Sequence, residues 1–212
     1  MAGNRRVRIR VLGGKIETKN IARKASRSKK LKSHISKYVT RLVSQNKTKL
    51  LSEFDKHPVT KEIEAGPHYG DRNISGTLEG YGNLFSYIGF RKGSSPVLLV
   101  RKLLQNSFIY MGLRGSATAR PRGFNQNVRI KIPDKQEIES VSKMPWEPSS
   151  WVYGIERGIS GFGFYMNTRW RGSRSGFGAQ IKHVVNPIGF KPTSYLPTML
   201  EIRKAKIRAG KI

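Results

Sequence analysis

The sequence predicts an α+β fold: an antiparallel sheet packed against a long N-terminal helix and a short second helix, with long glycine-rich loops and a basic N-terminal arm. Three observations predict it. Apolar residues step at helical spacing over one long stretch and two shorter ones. Short strand-like runs lie between these stretches, giving the order helix, strands, helix, strands, helix. Finally, 22 glycines and 10 prolines in 212 residues break the chain into many turns. The expected organisation is a basic arm at 1–26, a single domain at 27–205 and a basic tail at 206–212.

The arm opens with Val7-Arg8-Ile9-Arg10-Val11, which alternates apolar and basic residues as a strand with one wet face does. Gly13-Gly14 then supplies a turn. Residues 27–56 carry the strongest helical stripe, with Leu31, Ile35, Tyr38 and Leu42 extended by Val39, Val43, Leu50 and Phe54. His57-Pro58 ends it, because the residue before a proline is pushed out of the helical region. Residues 59–65 alternate and predict a short strand, on which Glu62 and Glu64 would share a solvated face. The stretch from Asn73 to Phe90 begins glycine-rich and is expected to end as an aromatic strand. Ser94-Ser95-Pro96 starts a second, short helix through Val97, Leu98, Val100, Leu103 and Leu104. Residues 107–113 and 127–132 pair as strands around an arginine-bearing loop at 114–123. Asp134 with Glu137 resembles a capping box for a small helix to about Ser142. Residues 177–185 predict a strand, and Thr193 or Ser194 caps a closing helix through Tyr195, Leu196, Met199, Leu200 and Ile202.

Charge narrows the function. There are 41 Lys+Arg against 13 Asp+Glu, a formal net charge of +28. Residues 1–50 hold 16 basic residues and 1 acidic; residues 81–132 hold 9 basic and none acidic. Such self-repulsion calls for an acidic neighbour, with nucleic acid first, an acidic protein second and a membrane surface a distant third. The absence of cysteine removes disulfides, thiol nucleophiles and Cys-ligated zinc. The longest apolar run, Val97-Leu98-Leu99-Val100, is far short of a bilayer span, and no secretory signal pattern stands at the N-terminus.

No constellation for catalysis stands out. The histidines, His34, His57, His68 and His183, share no metal-ligand spacing. Gly158-Ile159-Ser160-Gly161-Phe162 misses the nucleophile-elbow pattern by one place. Neither Gly80-Tyr81-Gly82 nor Gly161-Phe162-Gly163 leads into a phosphate loop. The expectation is no enzyme, no metal and no cofactor.

The basic segments carry more. Arg114, Arg120 and Arg122 sit among Gly, Ser, Ala and Pro, and Arg169, Arg171 and Arg174 surround Trp170. Flexible arginine loops suit phosphate backbones, which are bound by charge and not by base edges. Trp170 could stack on a base, though a tryptophan of this kind more often sits at a protein contact. Trp146, Trp151, Tyr153, Phe162, Phe164 and Tyr165 crowd a glycine-interrupted stretch that is expected to be surface loop and therefore a subunit or partner contact.

Several strings together resemble a known family. They are His57-Pro58-Val59-Thr60-Lys61-Glu62-Ile63-Glu64-Ala65-Gly66-Pro67, the run from Gly80 to Phe90, Met144-Pro145-Trp146, the run from Ser150 to Gly161, and Ser173-Arg174-Ser175-Gly176-Phe177-Gly178-Ala179-Gln180-Ile181-Lys182. Across residues 30–205 the chain resembles the neck or tail-completion proteins, minor tail components of myovirus-type tailed bacteriophages. The resemblance implies a structural virion protein of small α+β fold. It implies a ring, commonly a hexamer, around the DNA path between the head–tail connector and the tail. The implied partners are further copies of the chain, connector or head-completion proteins, and tail-terminator or tail-tube proteins. Non-specific DNA contact and assembly in the host cytoplasm follow, with no membrane. The basic arm lies outside the resemblance.

The alternative class is a ribosomal or other RNA-binding structural protein, which shares the high charge and basic arms. Against it, there is no RNP string and no KH-type Gly-x-x-Gly loop between helices.

Overall fold

The computed structural model describes residues 5–12, 27–68, 73–78, 83–120, 123–158, 164–167, 172–176, 179–182 and 190–212, with backbone alone for the strand at 5–12, His68, 119–120, 123–124, 164–167 and 179–182. The chain is mixed α+β. It divides into two compact units, each assembled from separated stretches: Met1–Leu50, Leu104–Asp134 and Glu201–Ile212 in the first, Leu51–Leu103 and Lys135–Leu200 in the second.

The first unit is built on residues 29–50 of helix α1, Lys29–Lys56, and a three-stranded antiparallel sheet. Ile35, Val39, Leu42, Val43 and Leu50 of the expected stripe are buried. Tyr38, placed on the same stripe, is exposed instead; its hydroxyl donates to Gly210 O at 3.1 Å. The sheet contains β1, Arg5–Leu12, β2, Ile109–Arg120, and β3, Gly123–Lys131, in the order β1-β3-β2. Val128, Ile130 and Ile132 turn into the core, and Ser36 Oγ lies 2.9 Å from Tyr110 OH, tying α1 to β2. Residues 114–120, expected as a loop, continue β2. A register shift between Arg114 and Thr118 takes up the glycine and serine as a bulge, so the ladder survives the breakers. Just ahead of β2, Phe108 is buried with φ 55°, a left-handed conformation that is strained for an aromatic residue.

In the second unit, residues 58–64 form helix α2, Pro58–Glu64, and not the expected strand. Proline at the first helical position and an accepting His57 side chain start it, and Val59 with Ile63 bury one face. Glu62 is fully buried, contrary to the expected solvated edge, while Glu64 stays exposed and receives both terminal nitrogens of Arg101 at 2.9 and 3.1 Å. The aromatic segment likewise forms a helix, α3, Leu84–Ile88, capped by Asn83 Oδ1 on Ser86 N and closed by Gly89 at φ 81°. Helix α4, Pro96–Gln105, runs on into the first unit at Leu104. Helix α5, Lys135–Val141, falls where the capping pattern predicts.

Residues 151–157, expected as loop, form helix α6, Trp151–Arg157. Ser150 caps it, and burial of Trp151, Val152 and Ile155 outweighs the roughly 1 kcal/mol cost of Gly154 inside. Strands β4, Phe164–Asn167, and β5, Ala179–Lys182, form an antiparallel pair. Helix α7, Leu196–Arg208, closes the chain. At its start, Glu156 Oε1 accepts from Tyr195 N at 2.7 Å and Thr198 N at 2.8 Å, satisfying amides that a helix leaves unpaired. Tyr195 is fully buried, with its ring against Phe54, His57 and Trp151 and its hydroxyl 2.7 Å from Thr60 Oγ1.

Glu62 organises the polar interior of this unit. Its Oε1 accepts from Asn73 Nδ2 and Leu84 N, and its Oε2 from Ser75 N, each at 2.8 Å. Asn73 Oδ1 accepts from Leu78 N at 2.8 Å. One carboxylate thus holds both the 73–78 turn and the first turn of α3, where the helix offers unpaired amides to an anion.

Candidate nucleic-acid interface

The three strands of the first unit carry eight basic residues and no acidic one: Arg5, Arg6, Arg8 and Arg10 on β1, Arg114 and Arg120 on β2, Arg129 and Lys131 on β3. Register decides how they are distributed. Directly opposed residues of an antiparallel pair point to the same face, and neighbours along a strand point to opposite faces. Val7 pairs with Val128 and Arg5 with Ile130, so these positions share the core face.

The other face is basic. Arg6 pairs with Arg129, and Arg129 pairs with Gly112 across the sheet; Arg8 pairs with Asn127, and Asn127 with Arg114. Arg10 pairs with Asn125 in the next row. Positions 6, 8, 10, 114 and 129 therefore share one face, on which the Arg114 and Arg129 side chains are exposed. Residues two apart on a strand are separated by about 6.7 Å and adjacent strands by about 4.8 Å, so the arginine positions form a lattice about 13 Å long. Gly112 has φ 108° at the first register shift and no atom within 4 Å of where a Cβ would stand, which leaves the ground beside Arg129 open.

Arg114 is held from below. The second register shift leaves carbonyls of β2 without ladder partners, and buried Gln126 takes them up. Its Nε2 donates to Arg114 O and Gly115 O at 3.3 Å each and to Asn127 O at 3.0 Å. The backbone that presents Arg114 is thus fixed by β3, not carried on a free loop.

The expected arginine loops fare differently. Arg114 and Arg120 lie on β2, and the Arg120 side chain is outside the described residues, as are Arg122, Arg169, Trp170 and Arg171. Arg174 is exposed in a turn of the second unit, where its carbonyl accepts from Lys92 N at 3.3 Å. Arg6, Arg8, Arg10 and Arg129 were not among the expected contacts. The alternation in 7–11 announced a wet basic face, but only the register brings it beside Arg129 and Arg114.

The aromatic set also divides. Trp151 is core, with no exposed surface and Phe90 edge-on at 6.0 Å, so the expectation that it meets a partner is corrected. Trp146 is 45% exposed; Nε1 donates to Ile88 O at 2.8 Å while the ring covers Gly89. Tyr153 is half-buried, with Lys135 and Arg157 over its ring at 5.8 and 5.3 Å. The side chains of Phe162, Phe164 and Tyr165 lie outside the described residues.

Among the described residues, no three of His, Asp or Glu gather where they could hold a metal ion. His34 is exposed on α1, and His183 lies outside the described residues. His57 Nδ1 accepts from Val59 N at 3.3 Å, and burial holds its pKa below the ordinary histidine value. No helix of the described residues is long and apolar enough to cross a membrane. Comparison with protein families, with curated proteins and with solved structures finds no match.

Proposed function

We propose that this chain is a structural component of a tailed-phage virion, a neck or tail-completion subunit that assembles as a ring, of six copies, between the head–tail connector and the tail, and that it touches the passing DNA without reading its sequence. The observation that carries the DNA contact is the basic sheet face, where positions 6, 8, 10, 114 and 129 are all arginine and none of the three strands holds a carboxylate. A surface of this kind binds phosphate by charge and offers no fixed pairing to base edges. The ring rests on the resemblance of residues 30–205 to that family. A heterologous contact closes into a ring when its rotation allows, and the exposed part of Trp146 is a candidate surface for such a contact.

The test is size-exclusion chromatography with light scattering on the purified protein, without nuclease treatment. A particle of roughly six times the 24.0 kDa chain mass supports the ring. A monomer that carries cellular RNA supports the RNA-binding class instead and overturns the proposal.

A further inference from the structure

The sheet is assembled against its own charge. Arg6 and Arg129 are directly opposed across β1 and β3, and Arg8 and Arg114 flank Asn127 in the adjacent row. Like charges directly opposite one another destabilise a strand pair, and no acidic residue on the three strands offsets them. The penalty falls on β1, an edge strand whose ladder partner is β3 alone. An anion lying across the rows turns the same arrangement from repulsion into attraction. One phosphate would not reach all five arginine positions, but a polyanion would. Each strand of duplex DNA carries one charge per about 3.4 Å of axis, so the lattice of about 13 Å spans roughly four phosphates of one strand.

We propose that the backbone of duplex DNA lies across this face, over positions 6, 8, 10, 114 and 129, and that its binding is coupled to docking of β1 on β3. The coupling is reciprocal: DNA favours the docked strand, and the docked strand supplies most of the cations that hold DNA. The inference rests on the nucleic-acid contact proposed above and not on the ring.

The experiment is hydrogen exchange by mass spectrometry on the full chain, with and without 20-base-pair duplexes of unrelated sequence, beside binding titrations over a range of salt. Duplex should slow exchange of the amides of β1 at least several-fold at low salt, and about 1 M salt should abolish the effect. Arg6→Ser and Arg129→Ser should each lower the log–log salt slope by roughly 0.9 and weaken binding equally on unrelated sequences. Arg129→Lys keeps the charge and should restore the slope, which a purely structural role for the guanidinium would not do. Unchanged exchange of β1 on adding duplex overturns the coupling. Unchanged slopes in both serine variants overturn the site. Protection by an RNA duplex or by polyglutamate, with none from DNA, overturns the choice of partner. Light scattering on the same samples separates the two proposals: a monomer that passes these tests ends the ring alone, and a ring that fails them ends this inference alone.

Discussion

Replacing Glu62 by glutamine removes a charge without changing the shape of the side chain. In the native unit the carboxylate is fully buried and accepts three hydrogen bonds at 2.8 Å, from Asn73 Nδ2, Ser75 N and Leu84 N. Two of these donors are backbone amides that cannot turn away. Glutamine keeps one accepting oxygen. If that oxygen stays with Asn73 and Leu84, the new NH₂ group faces Ser75 N, donor against donor. One hydrogen bond to a charged group is then lost, worth about 1.5–3 kcal/mol, and the other two fall toward the roughly 1 kcal/mol of neutral bonds. Relief from burying a charge offsets part of the loss. The expected net destabilisation is about 2–4 kcal/mol, or a thermal midpoint lowered by roughly 4–16 °C for a chain of this size. The assay is thermal unfolding by circular dichroism with hydrogen exchange on the same samples. Protection should fall in residues 73–78 and 84–88, while β2 and β3 keep theirs. A variant that melts within a degree of the native protein, with protection of 73–78 and 84–88 intact, would refute the claim that the charge of Glu62 holds this turn.

Two further outcomes follow from the second unit. Trp151→Ala should cost about 3–5 kcal/mol, the range for emptying a buried tryptophan site; Trp146→Ala should cost roughly 1 kcal/mol for one hydrogen bond yet impair ring assembly, and equal melting losses in the two variants would contradict the assignment of one to core and the other to contact. Because burial lowers the pKa of His57, the unfolded chain takes the proton first as pH falls. The native protein should therefore lose stability below about pH 6.5, and the loss should level off below the folded pKa. His57→Asn retains a capping acceptor and lacks this proton, so the stability gap between native and variant should shift in the variant's favour between pH 7.5 and 5.5. A gap that does not move with pH would contradict it.

Helical periodicity was the most legible signal, because α1 repeats it over 28 residues. Over seven residues the same signal fails. Val59 and Ile63 fit alternation and also the i, i+4 step of a helix, and the His57-Pro58 pair that ends α1 also starts α2, which decides the matter. The run at 151–157 misled for a different reason: glycines and aromatics suggest a loop, yet the burial of Trp151 is a tertiary gain that local composition does not contain. Nor could the basic face be located by composition. Its position depends on pairing Arg6 with Arg129, and a slip of one residue would turn Arg6, Arg8 and Arg10 to the core face. The Arg-Gly-Ser stretch at 114–116 reads as loop until Gln126, on another strand, takes up the carbonyls of its bulge.

The place of β1 in the sheet also sets an order of events during synthesis. Leu12 pairs with Gly123, so more than a hundred residues must emerge before the first strand has a partner. At about 5–20 residues per second, that wait lasts several seconds or more. Hairpin β2–β3, joined through 121–122, closes by a local contact, whereas β1 must return across a loop whose closure is slow and entropically costly. The arginine strand is therefore the last piece added to a sheet whose other two strands are already in register. Until then its unpaired backbone and its cations are displayed together on the growing chain, in a cell filled with RNA, and the final step of folding is a competition between the edge of β3 and whatever polyanion reaches the strand first.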